Sequence, residues 1–203
     1  MSDLRQHWER AYADKGDDEV SWFQAEPKTS LALIERAGLD FDAPILDVGG
    51  GASRLVDRLV GRGQRDVRVL DIAEAPLQKA RERLGDDASK VRWIRADITS
   101  ASLEPVALWH DRAVFHFLVA PESRAAYLRV LHATLRAGGS VVLGTFALDG
   151  PERCSGLPVQ RHDRASLSAL LGPDFVLAEE LHETHLTPAG KEQRFYYARF
   201  DRS

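Results

Sequence analysis

Ile45-Leu46-Asp47-Val48-Gly49-Gly50-Gly51-Ala52-Ser53 is the stretch on which the reading of this chain turns. A short apolar run ends in three consecutive glycines, and an amphipathic run over 54–60 follows at once. Glycine lets a strand turn sharply into a helix, and it lets a ligand approach main-chain N–H groups that a Cβ would shield. The stretch predicts a strand–turn–helix unit with a nucleotide-like ligand against the turn.

Working outward, short apolar runs alternate with helical patterns. Strands are expected at 45–48, 67–72, 91–96, 106–110 and 140–146, with helical runs at 74–84 and 121–136 between them. Strand and helix in alternation predict a parallel sheet covered by helices on both faces, a design that binds ligands beyond the carboxyl ends of its strands. The ending differs: 175–184 and 193–200 flank Leu186-Thr187-Pro188-Ala189-Gly190-Lys191-Glu192, a turn-forming segment that predicts a hairpin. The expected fold is therefore α/β and doubly wound, a seven-stranded, mostly parallel sheet with an antiparallel C-terminal hairpin strand.

Before this unit, helices are expected over 4–13 and 27–37, around a connection containing Asp17, Asp18, Glu19, Trp22 and Phe23. The aromatic pair is expected to fold over the ligand and exclude water. Residues 1–203 then read as one domain, with 1–40 as a helical lid or cap.

Composition narrows the partners. A formal net charge of −4 argues against broad attraction to phosphate backbones, so no nucleic-acid partner is expected. No apolar run approaches the roughly 20 residues needed to cross a bilayer, and Ser2-Asp3-Leu4-Arg5-Gln6 carries no signal-peptide core, so a cytoplasmic protein without membrane contact is expected. Cys154, the only cysteine, excludes an intrachain disulfide and a cysteine zinc cage, and the histidine spacing suggests no metal site.

Asp71 ends the second expected strand, twenty residues after Gly51. A carboxylate at that distance from a glycine turn can accept hydrogen bonds from both hydroxyls of a ribose. Arg54 stands where a nicotinamide-dependent dehydrogenase would place its third glycine, which weighs against a Rossmann-type oxidoreductase as the alternative reading. With Asp97 after the third strand, the pattern resembles the class I S-adenosylmethionine-dependent methyltransferases over roughly 45–200, terminal hairpin included.

That resemblance implies S-adenosyl-L-methionine as cofactor and assigns roles. Asp47, Gly49 and Gly51 would form the motif beside the methionine moiety, Asp71 would hold the ribose, Ile72 would lie on the adenine face, and Asp97 with Ile98 would meet the adenine edge and plane. Trp22 would close over the cofactor. Trp109-His110-Asp111-Arg112, after the fourth strand, would border the methyl group, and with Trp8, Tyr12 and Trp22 it is similar to some protein-lysine methyltransferases of this fold. His110 and Asp111 are the candidate catalytic proton acceptors, and Arg112 is the candidate substrate contact. The implied activity is in-line methyl transfer to N, O or S of a small molecule or protein side chain. A non-catalytic cofactor-binding relative is the remaining alternative.

Overall fold

The computed structural model describes residues 2–13, 16 and 19–203; Asp17 and Asp18 of the acidic connection lie outside the described residues. Five strands pair in parallel: β1 (Ile45–Val48), β2 (Val67–Asp71), β3 (Val91–Arg95), β4 (Val106–Arg112) and β5 (Leu135–Phe146). A small ribbon, β6 (Arg153–Cys154) with β7 (Leu157–Pro158), follows. The chain closes with β8 (Phe175–Leu186) and β9 (Glu192–Arg202), an antiparallel hairpin whose β9 inserts antiparallel against β5. The resulting seven-stranded order is β3-β2-β1-β4-β5-β9-β8.

Among the described residues six α-helices accompany the strands: α1 (Ser2–Ala13), α2 (Lys28–Arg36), α3 (Leu55–Gly61), α4 (Glu74–Leu84), α5 (Pro121–Thr134) and α6 (Arg164–Leu171). They make two cores. Leu46, Trp109, Val141 and Phe200 on one sheet face pack with Tyr127 and Leu131 of α5 and Leu167 and Leu171 of α6. Ile45, Leu108, Val142 and Tyr197 on the other pack with Leu31 and Ile34 of α2 and Leu55 and Leu59 of α3. Each such leucine, fully buried, contributes roughly 2 kcal/mol of transfer free energy. Covered on both faces, the central strands have no need of polar alternation, and β1 and β2 are buried at every position.

Two departures from the sequence reading matter for the site. β4 runs to Arg112, two residues beyond the expected end, because Asp111 and Arg112 pair with Leu143 and Gly144 of β5. Alternation along a strand then sends Leu108, His110 and Arg112 to the α2–α3 face and Trp109 and Asp111 to the α5 face. The other is α6, which the sequence reading omits. It starts at a capping box in which Asp163 accepts from Ser166 N at 2.9 Å and Ser166 Oγ accepts from Asp163 N at 2.9 Å.

Candidate functional site

The carboxyl ends of β1 to β4 open into one cavity of about 300 Å³. Gly49 follows β1, Asp71 ends β2 with Ile72 just beyond it, and Asp97 and Ile98 follow β3; all five border it. Arg112 and Val114 at the end of β4 form a further wall, with Phe117 and Cys154 beside them. Trp8 and Tyr12 of α1 and Trp22 of the connection supply the roof. These aromatics interlock edge to face: Trp8 meets Trp22 at 5.6 Å and Phe117 at 5.1 Å between ring centroids, and Trp22 Nε1 donates to Tyr12 Oη at 3.0 Å.

The glycine turn is shaped by close approach. Gly49 and Gly51 have φ of +64° and +43°, and a Cβ on Gly51 would stand 2.8 Å from Asp71 Oδ2. The N–H groups of Gly49 and Gly50, however, both donate to Leu70 O, at 2.7 and 3.2 Å. For Gly49 and Gly50 the expectation that a ligand reads the main-chain N–H groups is therefore corrected: both are stapled to β2, and their Cα faces pack against Val114 and against Asp47 and Val69. Gly51 itself is absent from the cavity wall and serves by letting the chain pass against Asp71.

Asp71 is the electrostatic centre of this half. Burial pushes its pKa up to about 7; main-chain N–H groups of Ala73 and Ile72 partly offset this, and the Asp47 and Glu9 charges add to it. A carboxylate so poor in solvation, bordering a cavity, fits a ligand that brings hydrogen-bond donors such as a vicinal diol. Glu9 of α1 reaches across and caps α4, accepting from Glu74 N at 2.8 Å and Ala75 N at 3.1 Å. Asp97 Oδ1 is shared by the N and hydroxyl of Thr99, at 2.8 and 2.6 Å, which orients the turn after β3.

The β4 end corrects the assignment of proton acceptors. Asp111 is fully buried on the α5 face, where it accepts from Val114 N at 3.0 Å, Phe115 N at 3.2 Å and Tyr127 Oη at 2.7 Å. It borders no part of the cavity, and it holds the turn in which Ala113 takes φ of +69°. His110 points the other way. Its Nδ1 lies 2.7 Å from Asp47 Oδ1 and its Nε2 2.9 Å from Ser30 Oγ, so both ring nitrogens are engaged, and it borders only a recess of about 40 Å³ under Trp22. Asp47 likewise lies in that recess rather than in the main cavity.

Ser30 and Tyr197 carry the chain onward. The Ser30 hydroxyl faces Tyr197 and counters the upward push of burial on its pKa, and Arg112 Nε donates to Tyr197 Oη at 2.8 Å. A buried polar path thus links the foot of the glycine turn to the cavity wall: Asp47, His110, Ser30, Tyr197, Arg112. Tyr197 crosses from β9 because Gly144 between them has no side chain; a Cβ there would lie 2.6 Å from Tyr197 Cε1. Ser30, Gly144, Tyr197 and Glu9 escaped the sequence reading, since each lies far along the chain from the motif it serves. Among the described residues no three His, Cys, Asp or Glu side chains converge on a metal position, and no helix is long and apolar enough to cross a membrane.

The connection before α2 is fastened to this wall. Trp22 O accepts from Arg112 Nη1 at 2.9 Å, Ser21 O lies 2.8 Å from His185 Nε2, and Gln24 Nε2 donates to Glu183 at 2.8 Å. Cys154, beside Phe117 on the wall, is a buried thiol whose pKa burial pushes up to about 11, so it rests as the neutral thiol near neutrality.

Residues 45–139 match the family described as Methyltransferase domain. A ubiquinone biosynthesis O-methyltransferase of Serratia proteamaculans is 25% identical over 153 residues, covering 75% of this chain and 58% of the relative. This chain spans about half the length of the curated relatives it matches. Among solved structures, the Burkholderia thailandensis 1,6-didemethyltoxoflavin-N1-methyltransferase with bound 1,6-didemethyltoxoflavin and S-adenosylhomocysteine superposes with a TM-score of 0.71 at 20% identity, over 100% of this chain and 85% of that one. The N-methyltransferase NodS of Bradyrhizobium japonicum, in complex with S-adenosylhomocysteine, gives 0.71 at 20%, over 98% and 97%. At such identities the superpositions speak for a shared fold.

Proposed function

We propose that this chain, whose residues 45–139 match a methyltransferase domain, is a class I S-adenosylmethionine-dependent methyltransferase that moves a methyl group from S-adenosyl-L-methionine to N, O or S of a small molecule or protein side chain. The observation that carries this reading is the convergence of Gly49, Asp71 and Asp97, from the ends of three parallel strands, on one cavity. Bound there, the cofactor would supply a sulfonium methyl for in-line attack by a nucleophile, with S-adenosylhomocysteine leaving as the neutral thioether. Asp71 would accept from the ribose, Ile72 and Ile98 would sandwich the adenine beside Asp97, and Gly49 would admit the methionine moiety.

The protein's own work is then alignment and dryness. Trp8, Tyr12 and Trp22 exclude water from above. We read residues 1–40 as a cap on a single domain, with α1 as its movable part: Glu9 and aromatic edges hold α1, whereas the 19–27 connection is fastened to Arg112, Glu183 and His185. Asp111 and His110 act as positioning groups, one for the turn after β4 and the other for the Asp47-to-Arg112 path. Neither touches the space in which a nucleophile would lie.

Arg54 in the glycine turn and the antiparallel β9 weigh against a nicotinamide-dependent oxidoreductase. We take the setting to be cytoplasmic, without membrane or nucleic-acid partners, in keeping with the net charge of −4. Titration of the protein with S-adenosylhomocysteine is expected to show saturable binding, and cofactor labelled in its methyl group is expected to label a component of a cell extract. Absence of binding sinks the reading. Binding without transfer to any component leaves a non-catalytic relative.

A further inference from the structure

Arg112 is a cation without a counter-ion. Its Nε and Nη1 are spent on Tyr197 Oη and Trp22 O, its guanidinium carbon lies 4.6 Å from the centre of the Phe195 ring, and its Nη2 is buried with no hydrogen-bond partner. Among the described residues no carboxylate lies within ion-pair distance of it. Glu183, whose charge opposes that of Arg112 at His185 and Tyr197, is engaged by Gln24 Nε2 and by the Thr29 hydroxyl. Arg112 is half-buried, and a guanidinium fixed by two neutral acceptors and a ring, with its last nitrogen unpartnered, is a site prepared for an anion.

The surroundings agree. Arg112 borders the cavity at the carboxyl end of β4, next to Trp22, Phe117 and Cys154, away from the Asp71 half. Behind this wall His116 and His162 are buried with neither ring nitrogen partnered, and the Thr145 hydroxyl at the end of β5 is also unpartnered. Burial, then the Arg112 charge, then His162 hold the His116 pKa down to about 3, so this side adds no second cation and no anion. The Arg112 charge acts on His116, Cys154 and His185, opposed at His185 by Glu183. A cation on the wall repels an ammonium acceptor, and a guanidinium favours a carboxylate.

Resting on the methyltransferase reading, we propose that Arg112 is the specificity-determining residue for a small methyl acceptor bearing a carboxylate, which pairs with the guanidinium while the nucleophile faces the cofactor half of the cavity. The same chemistry has a second source, the carboxylate of the cofactor's methionine moiety, and the experiment separates the two.

Calorimetry with S-adenosylhomocysteine and with methylthioadenosine, which lacks the amino-acid carboxylate, is run on wild type, Arg112→Gln and Arg112→Lys. Melting of the S-adenosylhomocysteine-saturated proteins is then followed with benzoate and butyrate against benzamide, butyramide and benzylamine. The expected result is that the carboxylates alone raise the wild-type midpoint, binding about tenfold or more tighter than their amides, as a charge-assisted bond implies. Arg112→Gln should lose that preference and Arg112→Lys keep part of it, with the ratio of S-adenosylhomocysteine to methylthioadenosine affinity unchanged, since any loosening of Trp22 weakens both alike. Equal effects of carboxylate and amide on wild type, or none from either, overturn the inference while leaving cofactor binding intact. A selective loss of S-adenosylhomocysteine over methylthioadenosine in Arg112→Gln assigns the guanidinium to the cofactor and also overturns it. No S-adenosylhomocysteine binding by wild type removes the methyltransferase reading itself. The carboxylate-to-amide comparison needs no variant, so it stands even if Arg112→Gln fails to fold.

Discussion

Asp71 and Asp111 both sit near the carboxyl end of a parallel strand, both are buried, and burial pushes both above the usual carboxylate range, to about 7 and about 6. Their surroundings separate them. Asp71 borders the cavity, and its Oδ1 accepts from Ala73 N at 2.9 Å within its own turn. Asp111 has Tyr127 and two main-chain N–H groups around it and faces no cavity. A buried acid at a strand end is thus equally able to receive a ligand or to hold a loop, and what lies opposite it decides which.

The contrast is testable from its strongest side. Asp111→Ala leaves two N–H groups and the Tyr127 hydroxyl without their acceptor, and a loss of about 3 kcal/mol or more of stability is expected, read from denaturant unfolding. If that variant melts like wild type, the distinction drawn between the two acids fails. Asp71→Ala should behave in the opposite way, weakening S-adenosylhomocysteine binding about 100-fold while changing stability little, since a lost charge-assisted pair of hydrogen bonds is worth roughly 3 kcal/mol. Calorimetry beside a melting curve distinguishes these outcomes.

Gly144→Ala probes the path that ends at Arg112. The added methyl meets the Tyr197 ring, and overpacking of about 1–3 kcal/mol is expected, with Tyr197 displaced from Arg112. A crystal structure of the variant with Tyr197 unmoved would contradict the close-packing argument. The smallest effect concerns pH. Hydroxyl donors favour the ionised form of Asp71, so ligand binding should lower its pKa and release a proton near neutrality. Affinity for S-adenosylhomocysteine should then rise with pH between about 6 and 8, by at most roughly tenfold per unit. The sign for stability without ligand is the reverse: an acid whose folded pKa is raised costs the fold nothing below its unfolded value of 3.8 and penalises it as pH rises through about 7. Proton release measured in buffers of different ionisation enthalpy checks both signs.

The two halves of the site were unequally legible in the sequence. On the cofactor half, Gly49, Asp71, Ile72, Asp97 and Ile98 each stand within a few residues of a strand end, and a parallel sheet brings all strand ends of one polarity to one rim. Local pattern is enough there. On the β4 side, a strand end placed at His110 makes His110 and Asp111 look like loop residues, whereas two further β5 pairings keep them in the strand and send them to opposite faces. Those pairings depend on a partner some thirty residues away, which no local periodicity carries. Ser30, Gly144 and Tyr197 were hidden for the same reason, and so was α6, too short for its pattern to stand out.

From its own pattern, the amino-acid sequence determined the doubly wound sheet with its terminal hairpin, the glycine turn and the row of acids at the strand ends, because strand and helix periods and the reach of glycine are local properties. Only the tertiary structure decided that the Gly49 and Gly50 N–H groups are spent on Leu70, that Asp111 holds a turn, that His110 joins Asp47 to Ser30, and that Arg112 is left with an unpartnered donor. Hydrogen-bond partners and desolvation are set by groups distant in the chain, and it is these, rather than residue type, that turn a buried charge into a receptor or a brace.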